Sequence, residues 1–327
     1  MNAAGLAQRI LPVLIILTAV SGSSAGPRIP ARAAVVIDAE KSVIYAKNPA
    51  EKLQPASTAK LITAMVVLDG IEPERVVRVS RNAAYTSSVE PGLRAGDELT
   101  VDDLLHLALM RSVNSASVAL AEETAGSERR FAELMNKKAV SLGAWNSRFI
   151  NSSGLPGKGQ YTTAYDLALI MAEVLKYPLI REILGKKDAW VITRQGRALF
   201  VENTDKLLWA SDNVIGGKTG YTHRARHCFV GAVETEHGTV YACVLGAGSR
   251  TRLWQTAGWL MGLGPGFDPS LYPDADERPK KAKKTALKRQ KPKKSARLKA
   301  GERKKHQVKV SRKTKAKKSS TLPPVKS

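Results

Sequence analysis

The chain of 327 residues carries 52 Lys plus Arg against 29 Asp plus Glu, a formal net charge of +23, and only two cysteines. So few cysteines exclude a disulfide-dense scaffold. Residues 278–327 alone hold 22 of the basic residues and one acid, Glu302, which leaves 30 basic against 28 acidic residues, a net of +2, over 1–277. The charge therefore marks a tail and excludes a uniformly basic, nucleic-acid-binding globular surface.

At the N-terminus, Arg9 precedes the apolar run Ile10–Val20, and Ser23 and Ala25 form a small-x-small pair. That order is expected of a secretory signal peptide over 1–25. Eleven apolar residues interrupted by Pro12 fall short of the ~20 that span a bilayer. Export to the periplasm or cell wall, or to the outer face of the cytoplasmic membrane as a peripheral protein, is the expected location.

Next, Ala33–Asp38 and Val43–Ala46 read as a short antiparallel hairpin. Apolar residues at helical spacing then run from Ser57 to Leu68 and stop at Gly70. Strand character at Val76–Val79 is followed by Thr100-Val-Asp-Asp103, a helix start signal before Leu104–Met110. Further helices are expected at Ser115–Ala125, Ser127–Leu142 and Thr163–Lys176, each followed by Gly or Pro within a few residues. Strands are expected at Ala189–Thr193, Ala198–Val201, Val214–Thr219, Phe229–Thr235 and Thr239–Leu245, and a last helix at Arg252–Met261. Strands at both ends with helices between them predict an α/β (α+β) domain over 26–265, an antiparallel sheet packed with a helical region. Residues 266–327, rich in Lys, Arg, Ala, Ser, Thr and Pro, lack the apolar content to offset ordering entropy and are expected to be a disordered basic tail.

Cys228 and Cys243 fall in the last two strands. A two-residue turn at His237-Gly238 would pair Ala232 with Cys243 and leave Cys228 four residues, about 13 Å, from opposite. A disulfide tolerates only ~7 Å between Cα atoms, so both are expected as buried thiols.

Chemistry concentrates in three places. Ser57-Thr-Ala-Lys60 is the sole Ser-x-x-Lys of the chain. On a helix, positions i and i+3 share a face, so the Lys amine reaches the Ser hydroxyl, and the helix N-terminus favours developing negative charge. A Ser hydroxyl is a weak nucleophile until a base takes its proton. Lys60 becomes that base only if burial or a second cation lowers its pKa. Taken alone, the motif reads equally as a helix cap followed by a solvated lysine.

Lys218-Thr-Gly220 follows a strand-like run and offers a cation, a hydroxyl and room for a substrate backbone. By itself it reads as a strand end turning at glycine. Ser-x-Asn occurs at Ser80, Ser112 and Ser211. Ser211 lies on the approach to the Lys218 strand, and Ser80 follows a strand toward the surface. Ser112-Val-Asn114, between two apolar helices, can place a hydroxyl and an amide across a cleft.

These three motifs, in this order, resemble the signature of penicillin-binding proteins and serine β-lactamases. The neighbouring stretches Leu53–Met65, Ala95–Leu105, Ser117–Glu122, Asn151–Leu155, Asn203–Leu208 and Gly217–Thr222 look like those of the low-molecular-weight D-alanyl-D-alanine carboxypeptidases, over about 30–265. The resemblance implies a penicillin-binding transpeptidase-like fold and a serine acyl-enzyme with no cofactor. It implies Ser57 as nucleophile, Lys60 as proton acceptor and Ser112 as relay to the leaving D-alanine. Asn114 would hold the substrate amide, Lys218 and Thr219 its carboxylate, with Gly220 beside them and Arg252 as a further candidate. The N–H groups of Ser57 and Tyr221 would form the oxyanion hole. Implied partners are peptidoglycan stem peptides and β-lactams.

A β-lactamase would need a Glu-x-x-Leu-Asn segment, which is absent between Asn114 and Lys218. A D,D-endopeptidase uses the same residues. The family usually has Ala-Gly after Lys-Thr-Gly, whereas this chain has Ala225-Arg226-His227. His223 and His227 lack a third ligand and are read as solvated or packed, not metal-binding. For the tail, anionic wall polymers or lipid headgroups are the expected partners, and export argues against nucleic acid.

Overall fold

A computed structural model describes residues 29–262; the expected signal peptide and the basic tail lie outside them. In chain order the elements are β1 (Ala33–Ile37), β2 (Val43–Lys47), α1 (Lys60–Gly70), β3 (Val76–Arg78), α2 (Arg81–Tyr85), β4 (Glu98–Thr100), α3 (Val101–Met110), α4 (Asn114–Ala125) and α5 (Glu128–Ser141). They continue with α6 (Ala164–Val174), α7 (Pro178–Gly185), β5 (Asp188–Ile192), β6 (Ala198–Glu202), β7 (Val214–Thr222), β8 (Arg226–Thr235), β9 (Gly238–Ala247) and α8 (Arg250–Leu260). Two single 3-10 turns, Ala56–Ala59 and Lys206–Trp209, precede α1 and β7.

Five strands form one antiparallel sheet in the order β2-β1-β9-β8-β7. Its first and last strands in chain order are neighbours: β1 pairs with β9 through Val35 and Cys243. All five residues of β1 are buried, as a central strand covered on both faces requires. On one face, Ala34, Val36, Phe229 and Val244 pack with Leu253, Trp254 and Ala257 of α8. On the other, Val35, Val230, Cys243 and Leu245 join the larger core with α1, α3, α4, α5 and α6. Lys60 through Val67 are all buried, so α1 is the central helix, apolar over that stretch except for Lys60 and Thr63.

Sequence chemistry sets the helix ends. Thr100 and Asp103 make a reciprocal capping box at α3, and Ser127, Thr163 and Ser249 each accept a backbone N–H at the starts of α5, α6 and α8. Gly126 ends α4 at φ 72°, where a side chain would be strained.

The expected hairpin, helices and late strands are present with ends shifted by a few residues. The expected strand at Val76–Val79 is β3, whereas its partner β4 and the helices α2 and α7 were not foreseen. The register of β8–β9 also differs. Its turn is Glu236-His237, not His237-Gly238, because the Thr235 hydroxyl accepts the His237 N–H and donates to the Gly238 carbonyl. Cys243 consequently faces Val230, which puts Cys228 two residues from opposite instead of four. Both cysteines are free and buried, and burial pushes the Cys228 thiol up to about 12.

Candidate active site

The site forms where three segments meet: the 3-10 turn leading into α1, the corner between α3 and α4, and β7. Ser57 lies on the 3-10 turn, one turn ahead of α1, so that Lys60 opens the helix behind it. The turn begins with Ala56 at φ 49°, a left-handed conformation unusual for alanine. Beneath it passes Gly154. A Cβ there would stand 1.8 Å from the Ala56 carbonyl oxygen, so glycine alone lets the Asn151–Leu155 segment support the turn.

Lys60 is 1% exposed. Its Nζ lies 2.9 Å from Ser57 Oγ and donates to Asn114 Oδ1 at 2.7 Å and to the Ser153 carbonyl at 2.7 Å. Burial first, and the charge of Lys218 second, hold this amine well below the ordinary lysine range. A neutral amine has two N–H donors and one lone pair. With both donors engaged by Asn114 and Ser153, the lone pair is left for the Ser57 hydroxyl.

The α3–α4 corner supplies Ser112 and Asn114. Ser112 adopts φ 67°, and its Oγ is buried without a hydrogen-bond partner. Such an atom is costly unless something outside the protein completes it. Asn114 is fixed from three sides: its N–H donates to Ser88 Oγ, its Nδ2 to the Ser87 carbonyl, and its Oδ1 receives Lys60. The rival Ser-x-Asn sites are occupied elsewhere. Ser80 caps α2 and donates to Glu122, and Ser211 accepts the Asn213 N–H.

β7 is the sheet's edge strand and carries Lys218, Thr219, Gly220 and Tyr221. A Cβ on Gly220 would stand 2.9 Å from the Ser57 nitrogen, so the strand crosses directly over the Ser57 amide. Gly217 and Gly231, paired across β7 and β8, leave room for the Phe229 ring, which a Cβ on either would meet at 2.5 Å. Lys218 is fully buried and donates to the Thr219 carbonyl at 3.2 Å. Thr219 Oγ1 shares a 2.6 Å hydrogen bond with Thr204 Oγ1. Burial pulls Lys218 down to about 7, opposed by Asp205.

Ser57, Lys60 and Asn114 are thus joined directly, with Gly220 against the Ser57 amide. Tyr221 is exposed at the rim, with its ring 4.6 Å from that of His227 and 6.1 Å from that of His223. Arg252 is exposed in the first turn of α8, where its backbone N–H donates to Ser249 Oγ. Arg226 has φ 60°, the conformation for which glycine is suited. Sequence reasoning missed Asp205, fully buried before β7, and the Ser153 carbonyl. An acid followed within two residues by Leu207-Leu208-Trp209 was the available signal for the first. A main-chain oxygen leaves none.

A fold with a central buried helix bearing Ser-x-x-Lys and an edge strand bearing Lys-Thr-Gly defines a class of serine acyl-enzymes. The family model described as D-alanyl-D-alanine carboxypeptidase matches residues 20–249, and the chain belongs to that family. It is 35% identical over 223 residues to the D-alanyl-D-alanine carboxypeptidase DacF of Bacillus subtilis, covering 66% of this chain and 57% of that protein. To the D-alanyl-D-alanine endopeptidase of Escherichia coli it is 31% identical, covering 78% of this chain and 87% of that one. The crystal structure of a D-alanyl-D-alanine carboxypeptidase from Mycobacterium tuberculosis superposes with a TM-score of 0.69 at 29% identity, over 76% of this chain and 96% of that one. The fold is therefore the penicillin-binding one expected.

Proposed function

We propose that this protein is a serine D,D-carboxypeptidase that removes the terminal D-alanine from peptidoglycan stem peptides through an acyl-ester on Ser57. The observation that carries this reading is the buried Lys60 amine, 2.9 Å from Ser57 Oγ and depressed by burial and Lys218. Ser57 Oγ attacks the carbonyl of the scissile D-alanyl bond while its proton passes to Lys60. The N–H groups of Ser57 and Tyr221 receive the oxyanion. Ser112 relays the proton held by Lys60 to the nitrogen of the departing D-alanine, which leaves Lys60 neutral again, a role that suits the unpartnered Ser112 hydroxyl. Asn114 orients the peptide amide, and Lys218 and Thr219 bind the terminal carboxylate. Water then hydrolyses the ester with proton transfer back through Lys60. The free edge of β7 suits an extended peptide. The same acylation accounts for penicillin binding.

A second reading, D,D-endopeptidase action on cross-links, is favoured by one observation: the chain spans 87% of the Escherichia coli endopeptidase. Release of D-alanine from a free pentapeptide, compared with cleavage of a cross-linked dimer, separates the two. Faster turnover of the dimer would replace the first reading by the second.

We further propose that residues 1–25 direct export, that 26–265 form the enzyme, and that the tail from 266 binds anionic wall polymer or lipid headgroups without entering catalysis. The segregation of charge into 278–327 supports this organisation. A periplasmic or extracellular location accords with a family that acts on the cell wall.

A further inference from the structure

The third partner of the Lys60 amine is a main-chain oxygen, which is only as well placed as the segment that carries it. The Ser153 carbonyl accepts Lys60 Nζ at 2.7 Å, yet Ser153 lies in no helix or strand. Asn151 Oδ1 accepts the Gly154 N–H at 2.8 Å, and Asn151 Nδ2 donates to the Leu155 carbonyl at 2.9 Å. Those two bonds shape the turn without tying it to the helices. Ser152 supplies the ties, and all of its polar groups are engaged. Its carbonyl accepts Thr63 Oγ1 of α1 at 2.7 Å, and Thr63 stands three positions after Lys60, on the same helix face. Its N–H and its hydroxyl both donate to one oxygen, Glu128 Oε1, at 3.1 and 2.6 Å. Ser152 and Ser153 are buried, while Glu128 is half-buried in the first turn of α5.

Glu128 takes no part in the mechanism above. An acid at this place complements the dipole of α5, but that service needs only a negative charge near the helix start. Here one oxygen reaches across to hold the residue next to the Lys60 acceptor. We propose that Glu128 is a positioning residue for acylation: it clamps Ser152 between α5 and Thr63 of α1, fixes the Ser153 carbonyl, and so aims Lys60 at Ser57 Oγ. The inference rests on the acyl-enzyme reading of Ser57 and Lys60. In its neutral form Lys60 gives one N–H to Asn114 Oδ1 and the other to the Ser153 carbonyl, which turns its lone pair toward the Ser57 hydroxyl. When the carbonyl is displaced, the amine is free to rotate about its Cε–Nζ bond, and proton transfer slows. The groups assigned to the peptide, Asn114, Lys218 and Thr219, stay where they are, so the loss falls on the chemical step and not on binding.

Three substitutions separate this role from support of the helix. Glu128→Gln keeps an oxygen at the same reach and removes the charge. Glu128→Asp keeps the charge at the start of α5 and withdraws the oxygen by about one C–C bond, ~1.5 Å. Glu128→Ala removes both. The readouts are kcat and KM for D-alanine release from a peptide ending in D-alanyl-D-alanine, and the rate of acylation by saturating penicillin. All are measured on the full chain at a temperature where each variant is folded. A displacement of about 1 Å can slow catalysis ~10²-fold. Glu128→Asp and Glu128→Ala should therefore lower kcat and the acylation rate by about 10-fold to 10²-fold with KM within about twofold, while Glu128→Gln stays within about threefold of the parent.

An active Glu128→Asp beside an impaired Glu128→Gln would overturn the proposal in favour of the helix dipole. So would an unchanged kcat in Glu128→Ala, or a loss carried by KM. Hydrogen exchange at the Ser152 amide reads the clamp without any reaction. Protection should persist in Glu128→Gln and fall in Glu128→Asp and Glu128→Ala; equal protection in all of them would show that Glu128 does not hold the segment, and would overturn the assignment. An unmutated protein that neither releases D-alanine nor takes up penicillin would instead defeat the acyl-enzyme reading, with the exchange pattern still deciding whether Glu128 fixes Ser152.

Discussion

At the residue scale, the site depends on a lysine whose environment is hostile to its charge. Lys60 sits in a buried position with three oxygen neighbours and a second lysine nearby, so burial first and the Lys218 charge second make its amine give up its proton at lower pH than an exposed lysine. Because its pKa is lowered, the base form exists down to the depressed value, and acylation should fail only as pH falls below it. Lys218 contributes to that depression. Lys218→Met should therefore raise the acid limb of penicillin acylation by about one pH unit, besides weakening carboxylate binding; a limb that stays put would remove Lys218 from the tuning of Lys60. Arg226 gives a prediction of the opposite character. Its φ of 60° costs roughly 1 kcal/mol in a non-glycine residue, so Arg226→Gly should raise the melting temperature by a few degrees. A lowered temperature would mean that the arginine side chain holds the β7–β8 turn. The three motifs were legible because their residue types and order are rare together. Asp205 was not, since burial of an acid depends on how the segment before β7 folds under the sheet.

The elements owe their arrangement to close backbone approaches that only glycine permits. Gly154 supports the turn carrying Ser57, and Gly220 lets β7 cross over the Ser57 amide. Gly154→Ala would drive a Cβ into the Ala56 carbonyl and also strain a φ of 78°. A destabilisation of about 2–3 kcal/mol is expected from overpacking and strain together, measured by denaturant unfolding, with penicillin acylation slowed at temperatures where the variant is folded. Stability within 0.5 kcal/mol of the parent, the scale of an inconsequential surface change, would show that the turn shifts freely. Amphipathic runs and start signals announced α3, α5 and α6, whose caps use the expected Thr and Ser hydroxyls. The helix α7 was missed because Pro178 reads as a terminator of α6, whereas it occupies the first turn of a new helix. The β8–β9 register was misjudged for a similarly local reason. Thr235 closes the turn one residue earlier than the glycine suggested, and a one-position change in turn placement moves every cross-strand pair.

For the whole molecule, a nearly neutral catalytic region and a strongly basic tail predict separable properties. A chain ending at Pro279 should keep its turnover of soluble peptide but lose salt-sensitive retention on isolated walls or anionic vesicles, as counter-charges acting over about 8 Å at physiological salt require. Equal retention of both forms would assign attachment to the domain instead. Composition alone exposes this division, and the anionic partner proposed for the tail is argued from charge alone. The central claim is covalent catalysis by Ser57, and labelled penicillin addresses it most directly. Incubation of the intact protein, followed by mass spectrometry of its peptides, should place one acyl group on Ser57. The same treatment of Ser57→Ala should give none, with D-alanine release reduced by up to ~10⁶-fold. A label on any other residue, or undiminished labelling of Ser57→Ala, would contradict the account.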